Sequence, residues 1–147
     1  MVNDVVNGIS NKIYKIFGNE YRVYKEKVKQ GLKEPCFFIT LINMVHNSEP
    51  NNNGVWILPF DIKYHPKKID GREEMFNIGD RLINGMGVIE VKQYGPARGS
   101  NTNYQIIDGI LHFFVNYNLR FSTADEGVTM NELETKEMIN NGSKESR

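Results

Sequence analysis

The pair Asp108-Gly109, set between two apolar runs in YQIIDGILHFFVNYNLRF (104–121), constrains this chain most. Asp-Gly is favoured in two-residue hairpin turns because both residues tolerate positive φ, which gives a turn that matches the twist of the flanking strands. Downstream, Leu111, Phe113, Val115, Tyr117, Leu119 and Phe121 alternate with His112, Phe114, Asn116, Asn118 and Arg120. A period of two places the first set on one face and the second on the other. That predicts a long strand with one fully buried face. A hairpin of this kind is not stable alone and needs further strands or helices over its apolar side.

Two segments have the period of such helices. Val2, Val5, Val6, Ile9, Ile13, Ile16 and Phe17 recur at helical spacing, which predicts a helix over 3–17 stopped by Gly18 and Asn19. Gly8 inside that pattern costs about 1 kcal/mol against Ala. Met75, Phe76, Gly79, Leu82, Ile83 and Met86 form a second stripe, opened by Asp70 with Glu73 three residues on and ended by Gly85 and Gly87. Strands are predicted at Tyr21–Val23, in the run Cys36–Ile42 after Pro35, over Val55–Tyr64, and at Val88–Val91. Pro59 marks a bulge or edge position in the third of these. The polar stretches 46–54 (HNSEPNNNG) and 95–103 (GPARGSNTN) read as exposed, mobile loops.

From residue 124 the pattern collapses. TADEGVTMNELETKEMINNGSKESR (123–147) holds six acidic and three basic residues, with weak helical spacing at Met130, Leu133 and Met138. The expected organisation is one α+β domain over 1–123, followed by an acidic, flexible tail over 124–147. In the domain, two amphipathic helices pack on a mostly antiparallel or mixed sheet of about five to six strands.

Composition narrows the function classes. Lys+Arg and Asp+Glu balance at 18 each, so no global basic field holds nucleic acid through phosphates alone. No apolar run approaches the roughly 20 residues of a membrane span, and MVNDVVNGIS lacks a signal-peptide layout. The single Cys36 can form no intramolecular disulfide, which fits a reducing compartment. The expectation is a soluble, cytoplasmic domain.

Candidate chemistry is sparse. Cys36 with His112 is the one pair that suggests a nucleophile and a base, yet both fall inside strand patterns, where such residues are ordinarily packed. Cys36, His46, His65 and His112 lack the close spacing of structural zinc ligands, and His46 falls in a loop. Gly85-Met86-Gly87 and Gly95–Gly99 match neither dinucleotide-binding nor phosphate-loop spacing. Glu73, Glu74 and Asp80 lie on the polar side of a helix, where solvation and the helix dipole account for them. No catalytic residue, cofactor or metal is expected, and the chain reads as no enzyme.

One charge feature is more suggestive. Lys12, Lys15, Arg22, Lys25, Lys27, Lys29 and Lys33 outnumber Glu20, Glu26 and Glu34 between residues 12 and 34. A solvated face is the commoner meaning of such a run. The alternative is a basic strip that meets an acidic partner, the acidic tail of a neighbour, or DNA passing through a pore.

Read as whole phrases, NDVVNGISNKIYKIFGNEYRVYKEKVKQGLKEPCFFITLIN (3–43) and YQIIDGILHFFVNYNLRF resemble a tail terminator family of phages, prophages and phage-tail-like particles of Gram-positive bacteria. The likeness runs from about residue 3 to 121 and leaves the stretches 46–54 and 95–103 and the tail unmatched. It implies a structural subunit that forms a ring, a hexamer, on the head-proximal end of the tail tube. Its partners would be copies of itself, the tube protein, the sheath in contractile systems and the head-to-tail connector, with DNA only as a passing strand. Assembly in the bacterial cytoplasm, then a place in the particle, follows from the same likeness. Candidate docking residues are the basic strip together with Asn51, Asn52, Arg98 and Asn101 in the two polar stretches. A head-tail adaptor or baseplate subunit is the alternative, and a small enzyme or ligand-binding domain a more distant one.

Overall fold

The apolar stripe Val5, Ile9, Ile13 and Phe17 lies along one helix, α1 (Val2–Phe17), and is buried over its length. Gly18, at φ 80°, closes that helix by donating its N–H to the Tyr14 carbonyl. These features belong to a computed structural model, which describes residues 1–25, 31–50, 53–67 and 71–122. The expected tail over 124–147 and Asp70 lie outside the described residues. The remaining elements are β1 (Arg22–Tyr24), β2 (Cys36–Leu41), β3 (Val45–Glu49), β4 (Asn53–His65), α2 (Arg72–Gly85), β5 (Val88–Val91), β6 (Gly95–Ile107) and β7 (Ile110–Ser122).

The strands form one mixed sheet in the order β1-β2-β4-β7-β6-β5, with β3 paired to β4 off that path. β1 runs parallel to β2, while the β2–β4, β3–β4, β5–β6 and β6–β7 pairs are antiparallel. With two helices on this sheet, the described residues form an α+β fold. Asp108 (φ 52°) and Gly109 (φ 76°) make the hairpin turn between β6 and β7, as the Asp-Gly pair predicts.

Contacts divide the described chain into two units, one of Met1–Met44 with Leu58–Asn118 and another of Val45–Ile57 with the strand residues from Leu119 onward. In the first, α1 packs on β5 and β2 while α2 packs on β6. The same core holds Phe37 and Ile39 of β2, Phe60, Ile62 and Tyr64 of β4, and Leu111, Phe113, Val115 and Tyr117 of β7, all buried. Burying one such side chain fully stabilises the fold by about 1.5–3 kcal/mol. Phe17, Phe37 and Tyr64 stack in sequence with ring centroids 5.0 Å apart at each step. Arg81 of α2 sits 4.4 Å over the Phe17 ring and donates to the Ile16 carbonyl, so a cation caps the negative end of α1. Gly8 has a packing role: a Cβ placed there would lie 2.5 Å from the Glu90 carbonyl oxygen of β5.

The second unit holds β3, the first part of β4 and the end of β7. His46 stacks on Trp56 at 4.2 Å and on Phe121 at 5.3 Å, and Arg120 reaches Glu49 at 3.5 Å.

Three expectations are corrected. The stretch 46–54 is largely strand where it is described: 45–49 form β3 and 53–54 open β4, since Val45–Glu49 pair with Asn53–Ile57. Residues 95–103 are not a loop either. They form most of β6, whose backbone pairs with β5 on one side and β7 on the other. Gly71, not Asp70, is the N-cap of α2, and no side chain caps it; the other end of the helix is at Gly85, as expected, with Met86 its C-cap. Pro59 lies where the β2 pairing ends at Leu41↔Phe60 and before the β3 pairing begins at Val45↔Ile57, and its carbonyl accepts the Ile42 N–H. No described helix is long and apolar enough to cross a membrane.

Candidate functional site

Cys36 opens β2 and is fully buried. Burial, reinforced by the nearby Glu34 carboxylate, pushes its thiol up to about 11, so it stays protonated and unreactive near neutral pH. His65 lies opposite it in the β2–β4 register. Burial lowers the affinity of that imidazole for a proton, partly offset by Glu34, whose carboxylate lies 3.9 Å away.

His112 instead faces Asp61, with Nδ1 3.0 Å from Oδ2, and Lys63 approaches the same carboxylate at 3.6 Å. Lys63 also lies 3.5 Å from the Thr40 hydroxyl. A histidine oriented by a carboxylate is half of a nucleophilic constellation, but no hydroxyl or thiol within hydrogen-bond reach of the imidazole completes it among the described residues. The group reads as a polar network across neighbouring strands that leaves one oxygen over: Asp61 Oδ1 is buried with no hydrogen-bond partner among the described residues. No set of three or more His, Cys, Asp or Glu among the described residues is placed to hold a metal ion. His46 is on β3, occupied in its aromatic stack.

The helix carboxylates do more than face solvent. Tyr64 of β4 donates its hydroxyl to Glu74, and Tyr104 of β6 donates to Asp80 at 3.1 Å. Both bonds tie α2 to the sheet, and desolvation, reinforced by the bonded carboxylates, raises both phenols above their ordinary titration range. Sequence reasoning missed these pairs because nothing local links residues 10 or 24 positions apart.

The described residues of the basic strip are scattered over several elements. Lys12 and Lys15 lie on α1, and Arg22 is exposed on β1. Lys25 is exposed just beyond β1 and donates to Asn7 Oδ1 at 2.7 Å, so it returns to α1. Lys33 is exposed and its backbone N–H reaches the Tyr24 hydroxyl at 3.2 Å. Lys27, Lys29, Asn51 and Asn52 lie outside the described residues. Arg98 is exposed on β6 opposite Val88. Asn101, at φ 55°, sits in the irregularity of β6 between Ser100 and Asn103. Both therefore stand on a strand and not on the docking loop that the sequence suggested.

Unexplained apolar exposure accompanies these charges. Tyr14 and Val88 are exposed beside Lys12 and Lys15; Phe76 and Ile83 on α2, and Ile42 and Met44 on either side of Asn43, are exposed elsewhere. Contiguous apolar patches mark contact surfaces, whereas single exposed apolar residues are ordinary. A family model described as "Phage tail terminator protein" matches residues 4–129. No curated protein matches the chain significantly.

Proposed function

The chain belongs to the phage tail terminator family, and from that membership we propose that it forms a ring on the head-proximal end of the tail tube and stops the tube's polymerisation. That membership makes it a structural protein of a phage tail. The family match carries the reading. The buried, protonated Cys36 and the apolar side chains left exposed on α1, α2 and β5 are in keeping with it.

The mechanism needs no bond to be made or broken. Each subunit docks on the last layer of tube through one surface and presents an opposite surface that a further tube subunit cannot match. A closed ring requires a heterologous interface whose rotation closes, and a six-fold ring would follow the symmetry of the tube it caps. In a contractile particle the same ring meets the final layer of sheath; in a complete phage it meets the connector. Deleting the gene from the particle that encodes it should give tails of irregular or excessive length that fail to join heads, restored by the gene supplied in trans. Uniform, correctly capped tails from the deletion would refute the assignment.

A further inference from the structure

All five residues of β3 are exposed, and among the described residues the strand pairs only with β4, from Val45↔Ile57 to Glu49↔Asn53. Gly54 gives the phase of that pairing. A Cβ there would lie 3.0 Å from the Asn47 carbonyl oxygen, so this oxygen points at β4. In an antiparallel pair, successive residues direct their backbone groups alternately toward the partner strand and away from it. Asn47 therefore bonds to β4, while the N–H and C=O of His46 and of Ser48 point out from the sheet's edge. These groups have no backbone partner among the described residues.

Such an edge templates pairing with another chain unless it is short, charged, broken by proline or covered. β5 is covered, since Gly8 of α1 packs against the Glu90 carbonyl oxygen. β1 is only three residues long. β3 has neither lysine nor proline, and its one charge, Glu49, is engaged by Arg120 at 3.5 Å. The edge is also self-complementary. Antiparallel pairing about a two-fold axis at Asn47 lets His46 of one copy exchange both backbone bonds with Ser48 of the other, so every outward group is used. Centring on Ser48 would set His46 against Pro50, which has no N–H, and centring on His46 would set Ser48 against Met44, outside the strand. At Asn47 the side chains also agree: Asn47 faces its own copy and Val45 faces Glu49, so no like charges lie opposite one another. We propose that β3 is a docking edge for the β3 of a second copy, paired antiparallel about Asn47. A closed ring needs a heterologous interface, so this two-fold contact is additional to the ring and is tested apart from it.

The test reads the register with cysteines in the full-length chain, on non-reducing gels after mild oxidation. Opposed residues that do not exchange backbone bonds lie about 4.5 Å apart at Cα, within the span of a disulfide. Asn47→Cys should therefore give a covalent dimer, while the native Cys36 stays buried and out of reach. Val45→Cys and Glu49→Cys should each stay unlinked alone, because like positions lie roughly 13 Å apart, and should link to each other when the two proteins are mixed. Ser48→Pro removes an outward N–H that β4 does not use, so the fold is kept; added to Asn47→Cys it should lower the dimer yield roughly tenfold. Hydrogen exchange reads the parent chain without any variant, and protection of the His46 and Ser48 amides should rise with protein concentration. An Asn47→Cys chain that stays unlinked, equal linking by all three single cysteines, a Ser48→Pro chain that links undiminished, or amide protection independent of concentration would overturn the proposal.

Discussion

Gly8→Ala sets two physical effects against each other, and the structure decides between them. In an isolated helix the substitution stabilises by about 1 kcal/mol, since mid-helix glycine carries the larger entropy cost. In this fold α1 lies so close to β5 that the new Cβ would stand 2.5 Å from the Glu90 carbonyl oxygen and 3.5 Å from Ile89 Cδ1. Carbon–oxygen contact is comfortable only near ~3.4 Å, so the helix must retreat by roughly 0.9 Å along its best-packed side. Overpacking of that order costs about 1–3 kcal/mol, and a backbone carbonyl cannot turn aside as a side chain can. The net expectation is a loss of about 1 kcal/mol, or about 3–5 °C in Tm for a domain of this size. Gly87→Ala is the control, because a Cβ at Gly87 meets nothing within 4 Å. It should be neutral or stabilise slightly through the unfolded state. Thermal and urea unfolding followed by circular dichroism reads both variants. A Gly8→Ala protein that melts 3–5 °C above the parent would refute the packing argument and leave propensity in charge.

Other expectations follow from single contacts. Gly109→Val should cost about 2 kcal/mol by urea unfolding, because a β-branched residue resists the φ of 76° that Gly109 adopts. Tyr117→Phe should cost about 1–2 kcal/mol, since the buried Tyr117 hydroxyl donates to the Met86 carbonyl at 2.7 Å and its loss leaves that oxygen unpaired. Cys36 governs an alkaline effect. The unfolded thiol ionises near 9 but the folded one only near 11, so the unfolded state loses its proton first and stability falls as pH rises between those values. Cys36→Ala should be less stable than the parent at pH 7, and the gap in Tm should narrow from pH 9 to 11; a constant gap would contradict the burial of the thiol.

Where side chains alone decided the structure, the sequence was legible. The alternation from Leu111 to Leu119, the turn at Asp108-Gly109 and the stripe of α1 are each written in local spacing, and each is where it was expected. β3 escaped notice because all five of its residues are exposed, so no apolar alternation exists to read. Its strand geometry comes from the register with β4. The same holds for Gly95–Asn103 of β6, where Ala97 is the one buried side chain and β5 and β7 supply the hydrogen bonds. Turn-forming residues such as Gly, Pro and Asn argue for a loop locally, but two flanking strands outweigh that preference. The purpose of Gly8 was illegible for a related reason, since its partner Glu90 lies far along the chain. The docking residues were the least legible, because cations close in sequence need share no face once the chain folds: Lys12 and Lys15 lie on α1, Arg22 on β1, and Lys25 and Lys33 outside both.

The central claim concerns the end of a tube, and growth of that tube in vitro tests it most directly. Purified tube protein from the same particle would be polymerised with and without this chain, gold-labelled at an appended tag, and imaged by negative-stain electron microscopy. A tail terminator should decorate one end of each tube and halt elongation there, so mean length should fall as its concentration rises. Tubes that lengthen unchanged, or label spread along their sides, would contradict the assignment.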